Sequence, residues 1–417
     1  MSRSLGWHGI GLVLAVLLSG CSSGNATAEA EAPAAPATPV VPPTEPAETT
    51  CDKGGLVDAG FRDAALAALS ELVVHAPGLA ADGAVRSNSA PGHIDPSGQA
   101  WHFISAYQVN LALMEALRVA PGNAPVAAGW LRWQARHTTP TGAGQGVVFD
   151  HWIRASDLHV APCPPGRALG DCPHVDAYDS TAASVLLMAD AYLAATGDSA
   201  LLRETAVRAA LQSAAGAVVA LTQPEGLSSA KPGYLVEYLM DAAEVAAGWR
   251  AWARVQESAY GDGAGAQASL AAAQRMEDAM RRQLWHAPSQ AWRVSLQAGA
   301  PDFSVWYADT VAQAWPLLWR VRGPAAADAA SAWRKASARW QGANGWPHRN
   351  VDPDGFWWPA AAVAARCVGD VADARSWVAR ARAAWLAPAN PFAWPFQVGD
   401  LRWLFWLSDP VAAAARP

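Results

Sequence analysis

The sequence predicts an all-α fold, an (α/α)6 toroid of six helical hairpins, from two alternations along the chain. From about residue 100 onward, helical segments are joined in turn by a short Gly-marked turn and by a longer loop rich in aromatic and acidic residues. The helices themselves also alternate. Segments 99–117, 179–196, 234–249, 304–319 and 356–365 hold no Lys or Arg, whereas Arg132, Arg136, Arg203, Arg208, Arg275, Arg281, Arg282, Arg334, Lys335, Arg375 and Arg380 fall on the helices between them. A helix apolar on all sides is buried and a helix with one charged stripe lies at the surface. Six pairs of that kind fit a ring of inner helices inside a ring of outer ones. An open α-solenoid also stacks helix pairs, but no fixed sequence period is present and the long loops vary from about 11 to about 39 residues.

Apolar residues recurring with a 3.6-residue period place helices near 61–75, 100–119, 123–138, 179–196, 199–221, 234–257, 265–285, 304–321, 324–341, 356–368, 371–387 and 399–409. Pro121-Gly122-Asn123, Gly197-Asp198, Gly261-Asp262-Gly263, Gly323-Pro324 and Gly369-Asp370 each combine a helix stop with a cap or an early proline. They read as the hairpin turns. The longer connectors, near 139–177, 222–233, 286–303, 342–355 and 388–398, hold Asp150, His151, Trp152, Asp157, Asp176, Trp292, Asp302, Trp346, His348, Asp352, Asp354, Trp394 and Phe396. Stacked hairpins put all short turns on one face and all long loops on the other, so one face is expected to be a floor and the other a site.

The first 50 residues belong to no folded domain. Arg3, an apolar run from Ile10 to Leu18, and Leu18-Ser19-Gly20-Cys21 resemble a bacterial lipoprotein signal peptide, with Cys21 the lipidated residue and 1–21 the signal. Residues 22–50 are mostly Ala, Pro, Glu and Thr, a composition that buries too little apolar surface to order itself and serves as a disordered tether. The toroid is expected over 51–417. This implies a lipid-anchored protein of the cell envelope, at the outer membrane or facing the periplasm rather than on the inner membrane.

Cys51, Cys163, Cys172 and Cys367 remain, an even number outside the cytosol. Cys163 and Cys172 flank Pro164-Pro165-Gly166 in the longest loop and are expected to bridge. Cys51 and Cys367 are then either a second bridge or two buried thiols. The spacing matches no zinc pattern, so no metal and no cofactor is expected. With a net charge of -6 and no basic run past the signal segment, nucleic acid is excluded as a partner. No glycine-rich phosphate loop and no GxSxG elbow is present.

The candidate chemistry lies in carboxylates on the inner helices, which are costly to bury without a basic neighbour. Glu237, Asp241 and Glu244 stand at i, i+4 and i+7 on an otherwise apolar segment, a spacing that puts all three on one helical face. They either line a polar cavity or pair with arginines of neighbouring helices. Asp176, Tyr178, Asp179 and Ser180 open another inner helix; Asp179 or Ser180 is either its cap or, held ionised by the helix N-terminus, a base or nucleophile. Asp95 with Trp101 and His102, Tyr307 with Asp309, His348 near Trp346, and Asp354 with Trp357 and Trp358 fall on the same face. Aromatic rings beside acids suit a sugar, which offers an apolar ring face and hydroxyl edges. Of the 22 tryptophans, most of Trp130, Trp133, Trp249, Trp252, Trp333, Trp340, Trp377 and Trp385 are expected to fill the core, and Trp101, Trp152, Trp306, Trp346, Trp357 and Trp358 are the candidate sugar platforms.

With these features the chain resembles the six-hairpin glycosidase superfamily, whose (α/α)6 toroids carry a sugar-binding cleft over the inner-helix N-termini. The stretch from Asp179 to Asp198 is similar to an inner-helix segment of glycoside hydrolase family 8, where an Asp opens an Ala- and Leu-rich helix, which implies that Asp179 contacts substrate or acts as a catalytic acid. Pro301-Asp302-Phe303-Ser304 is similar to a Pro-Asp-x-Ser segment of that family whose Asp acts as base. The family's general acid Glu has no counterpart near Pro96-Ser97-Gly98-Gln99, where Asp95 is the nearest acid. The expectation is a monomeric glycoside hydrolase acting on a carbohydrate, with Glu237 as acid, Asp179 as base or nucleophile, and Tyr178, Tyr238, Asp241, Asp309 and Asp354 shaping the site. A polysaccharide lyase using His102, His151, His348 or Tyr307, and a glycan-binding lipoprotein without catalysis, are the other readings.

Overall fold

The computed structural model describes residues 54–168, 172, 175–321, 328–340, 359–386, 389, 391–393 and 396–409. Twelve helices of it build the two rings: α1 (Ala59–Leu72), α2 (Ala106–Val119), α3 (Ala124–His137), α4 (Tyr178–Thr196), α5 (Thr205–Leu221), α6 (Leu239–Tyr260), α7 (Gly263–Ala279), α8 (Ala314–Leu318), α9 (Asp328–Ser337), α10 (Ala360–Cys367), α11 (Val371–Leu386) and α12 (Leu401–Trp406). A single helical turn, Ala200–Arg203, leads into α5. The even-numbered helices close on one another, α2 on α4, α4 on α6, α6 on α8, α8 on α10, α10 on α12 and α12 back on α2. The odd-numbered helices pack outside them, and the all-α toroid of the sequence reading is the fold observed.

The turn chemistry explains the hairpins. Gly197 and Gly261 end α4 and α6 at φ 65° and 68°, a left-handed backbone that favours glycine, and each returns its N–H to the last turn. Asp58 accepts from the Phe61 amide at 3.0 Å to open α1, and Asp262 accepts from Gly265 at 2.9 Å to open α7. Pro121–Asn123 forms the tight turn between α2 and α3. Gly323 and Pro324 lie outside the described residues.

Four segments depart from the expected helices. Residues 100–104 are a strand, not the start of α2. β1 (His93–Ile94), β2 (Ala100–Ile104), β3 (His151–Arg154) and β4 (Val160–Ala161) form an antiparallel sheet in that order. Its register pairs Trp101 with Arg154 and Phe103 with Trp152, so aromatic residues that suit a pleated surface take the sheet. The loop 139–177 therefore contains two of the strands. The helix expected from 234 begins at Leu239, because Leu239 donates to Val294 O at 2.9 Å and Leu296 donates to Glu237 O at 3.0 Å, which holds 237–239 extended. The helix expected over 304–321 is broken into a wide turn at Trp306–Thr310, a tight turn at Val311–Gln313 and the short α8, where Pro316 removes a helical donor. After α7, a wide turn at Met280–Leu284 replaces the end of the helix expected over 265–285 and leads into the hairpin of β5 (Trp285–His286) and β6 (Ala291–Trp292), which opens the expected connector 286–303.

Cys163 and Cys172 are bridged, with Cα atoms 5.3 Å apart, and pin the loop after β4. His93 Nε2 meets Pro165 O at 2.9 Å and the Arg167 guanidinium lies 4.9 Å over Trp152, so that loop rests on the sheet. Cys367 is also disulfide-bonded, and Cys51 lies outside the described residues. Residues 1–50, with Cys21, lie outside them too, as do Trp346, His348, Asp352, Asp354, Trp357, Trp358 and Trp394.

The inner ring is tight because its facing residues are small. A Cβ built on Gly248 of α6 would stand 2.8 Å from the Ala183 Cβ of α4 and 3.2 Å from its carbonyl. Replacing Gly248 by Val should therefore force two inner helices apart and lower stability by about 2 kcal/mol. Urea denaturation checks this, and an unchanged midpoint would contradict the close approach.

Candidate functional site

The N-terminal ends of the inner helices gather acids. Asp179 stands in the first turn of α4 and is fully buried. The Ser228 hydroxyl donates to its Oδ2 at 2.6 Å and the Ser180 amide donates to its Oδ1 at 2.8 Å, which occupies both oxygens. It does not cap the helix; Ala177 holds that position, and the Tyr178 amide donates to Ala230 O at 2.6 Å. Asp241 stands in the first turn of α6, partly open, and has no hydrogen-bond or ion-pair partner among the described residues. Asp176 is exposed just before α4, and Asp150 is half-buried just before β3.

Glu237 is buried but sits on the extended segment before α6, so it does not share a helical face with Asp241 and Glu244. Its carboxylate accepts from Gln297 Nε2. Glu244, one turn below Asp241, resolves toward the structural pairing. It accepts from the Tyr107 hydroxyl at 2.7 Å and the Trp315 indole N–H at 2.9 Å, and Arg402 Nη1 lies 3.6 Å away. Arg402 is itself buried, with its guanidinium 3.7 Å over the Trp403 ring.

Desolvation sets the charge of this region. Burial pushes Asp241 well above the usual carboxylate range, and the nearby acids Asp179, Glu244 and Asp176 push it further. Burial raises Asp179 to about 7, against the hydrogen bonds from Ser228 and Ser180, with Glu244 adding to the rise. The expectation that the helix N-terminus keeps Asp179 ionised is therefore overturned, because loss of solvent outweighs the helix dipole. Burial raises Asp150 to about 8, with Ser105 opposing and Asp176 adding. Glu244 is raised by burial and drawn back by Arg402. At neutral pH Asp241 is thus held protonated and can act as a proton donor.

The other expected residues divide between the mouth and the core. Tyr238 reaches the same acids; burial raises its phenol, and its hydroxyl meets that of Tyr234 at 2.9 Å. Tyr178 is half-buried with its ring edge-on to Phe149 at 5.4 Å. Tyr307 is 50% exposed, and Asp309, raised by burial, accepts from the Asp302 amide at 2.8 Å. Asp302 turns back on the Ser304 amide at 2.8 Å in an exposed loop. Trp101 and His102 leave the site: both are buried in the sheet, the Trp101 indole N–H donating to Asp95 at 2.9 Å. Asp95, which also accepts from Ser97 and Gln99, is held well below the usual range and is a turn-forming anion, not a proton donor. Trp152 and Trp306 are likewise buried and offer no open face.

Asp150, Ser228, Gln297, Tyr107 and Arg402 have no role in the sequence reading. Arg402 carried a readable signal, since a lone base on an otherwise apolar inner helix needs a buried partner just as a lone acid does. Among the described residues no group of three or more His, Cys, Asp or Glu is arranged to hold a metal ion.

No protein-family model matches the sequence, and no curated protein matches it. Solved structures do match the fold. A wild-type glycosidase superposes with a TM-score of 0.54 at 15% identity, covering 83% of this chain and 94% of that one. A glycosidase variant in complex with glucose superposes with a TM-score of 0.53 at 13% identity over the same shares. At that identity the likeness is one of fold.

The raised acids make stability depend on pH. A carboxyl whose folded pKa lies above its unfolded value contributes stability that is complete below about pH 4 and lost as pH rises through the folded value. For Asp150 that loss runs up to about 8. Asp150→Asn should therefore give a higher urea midpoint than the unsubstituted protein at pH 8, and the gap should close toward pH 4. A midpoint at pH 8 equal to or below that of the unsubstituted protein would refute the burial cost.

Proposed function

We propose that the protein hydrolyses an O-glycosidic bond of an oligo- or polysaccharide at the long-loop face, with Asp241 as acid and Glu237 as base or nucleophile. The observation that carries this reading is Asp241: a carboxyl at the mouth of the inner ring, partly open and unpartnered, kept protonated by burial and by the acids beside it. Glu237 is the acceptor, its carboxylate oriented by the Gln297 amide. The sequence reading expects Glu237 as acid and Asp179 as base or nucleophile; here Glu237 moves to the acceptor role and Asp241, expected to shape the site, takes that of acid. Asp179 has both oxygens engaged and no exposure, so it acts through Asp241: as pH rises through about 7 and Asp179 ionises, its charge holds the proton on Asp241.

In the reaction, Asp241 gives its proton to the leaving glycosidic oxygen as the C–O bond breaks. Glu237 takes a proton from water as the hydroxyl adds to the anomeric carbon, or attacks that carbon first. Tyr238, Tyr234 and Tyr307 supply ring faces and hydroxyls for a sugar. The named glycosidase activity of the structural neighbours, and the glucose bound to one of them, support a carbohydrate substrate. The Leu18-Ser19-Gly20-Cys21 motif supports a lipid on Cys21 and a position at the cell envelope.

Incubation with a panel of bacterial and plant glycans, read by mass spectrometry, should give products carrying one added water. Products one water lighter would indicate a lyase. On a cleaved glycan, Asp241→Asn and Glu237→Gln should each lower kcat about 10³-fold with unchanged helical signal. Asp179→Asn should move the alkaline limb of the pH profile to lower pH, since the anion that raises Asp241 is gone. Full activity in Asp241→Asn would end the assignment. For the anchor, Cys21→Ser should abolish labelling by a radioactive fatty acid and release the protein from membranes; persistent labelling would exclude this site.

A further inference from the structure

The floor of the ring is not closed. A cavity of about 200 Å³ lies among the C-terminal halves of the inner helices, with walls from α2, α4, α6, α8 and α12. It is far along the ring axis from the acid mouth, and the Tyr107, Glu244, Trp315 and Arg402 layer sits above it. Leu117, Leu187, Ala191 and Trp406 give it an apolar wall.

Among the described residues Arg118, Arg250, Arg254 and Arg320 line it beside the acids Glu115 and Asp190, and the guanidinium groups of Arg254 and Arg118 are held by those acids. Arg254 of α6 binds Asp190 of α4 through Nε and Nη2, the shortest contact being 2.6 Å, and Arg118 of α2 binds Glu115 through Nε at 2.8 Å and the Phe405 carbonyl through Nη2. Arginine has five N–H donors in a fixed fork. These bonds therefore fix each fork and leave Nη1 of both without a hydrogen bond among the described residues. Neither Nη1 is sealed from solvent, unlike Nη1 of Arg402. Fixed, unspent donors at the edge of an apolar chamber match a small amphipathic anion, in which a carboxylate meets the guanidinium groups and an alkyl or aryl body fills the apolar part.

We propose that this axial cavity is a second ligand site, separate from the acid mouth, that takes a small monocarboxylate with an apolar body. It does not depend on the glycosidase reading, since the two ends share no residue.

The test is isothermal titration calorimetry of the full chain with hexanoate, and with 1-hexanol as its neutral match. Hexanoate should bind once per chain and hexanol about tenfold more weakly or worse, the effect of losing a charge-assisted hydrogen bond. Ala191→Phe, which fills the chamber, should abolish the hexanoate heat while leaving the far-ultraviolet spectrum unchanged. Ala194→Trp, on the exposed lip of the cavity, gives the same readout if the first variant does not fold. No heat with hexanoate, equal affinity for hexanol, or binding that survives both substitutions would overturn the proposal.

Discussion

The structure depends on how six helices without a charged face remove themselves from water. Such helices need cover on all sides, and a ring that closes on itself inside a second ring provides it with the fewest exposed edges. Small residues let the ring close: the Gly248 and Ala183 backbones meet where larger side chains would hold α4 and α6 apart. The same closure puts every polar group on an inner helix in a dry place. It must then find a partner there or lose its charge.

Both solutions are present along the axis. Glu244 keeps partners, with Tyr107, Trp315 and Arg402 converging from α2, α8 and α12, so one carboxylate ties together three of its neighbouring helices. One turn higher, Asp241 has none and is neutralised. A fully satisfied layer thus separates a mouth whose acids are left wanting from a lower chamber whose arginines are anchored but not exhausted. The polar core of Asn110, Gln134, Trp130 and Ser184 does similar work off the axis, every member bonded and the registers of α2, α3 and α4 fixed to one another.

The architecture was legible because it is written in features that a single helix must carry by itself: absence of bases, glycine stops, proline starts. Gly197 and Gly261 end their helices at the places the turn chemistry names. What failed was any boundary decided by another part of the chain. Trp101-His102-Phe103-Ile104 has the composition of a strand but joins a helical pattern without a break, and only β3, some 50 residues on, decides for the sheet. Glu237 was placed on a helix for the same reason. Its own segment continues the apolar period, yet the pairing of 237–239 with 294–296 holds it extended, and no local signal announces that pairing.

The site shows the same division in its chemistry. That acids at inner-helix openings would be unusual was readable, and Asp179, Asp241 and Glu237 do fall at that end. Their roles were not, because a role depends on which oxygen is bonded and which is left open. Asp179 has the better sequence credentials, an acid at a helix start within a family-like segment, and is the one whose oxygens are spent on Ser228 and Ser180. Asp241, which the sequence marks only as one of a stripe of acids shaping the site, is left to hold a proton in a place where ionisation would cost more than neutrality. A ring that is stable because it is dry inside can keep such an acid only by giving up stability as pH rises, so the proton at the mouth and the cost of burying it arise from the same desolvation.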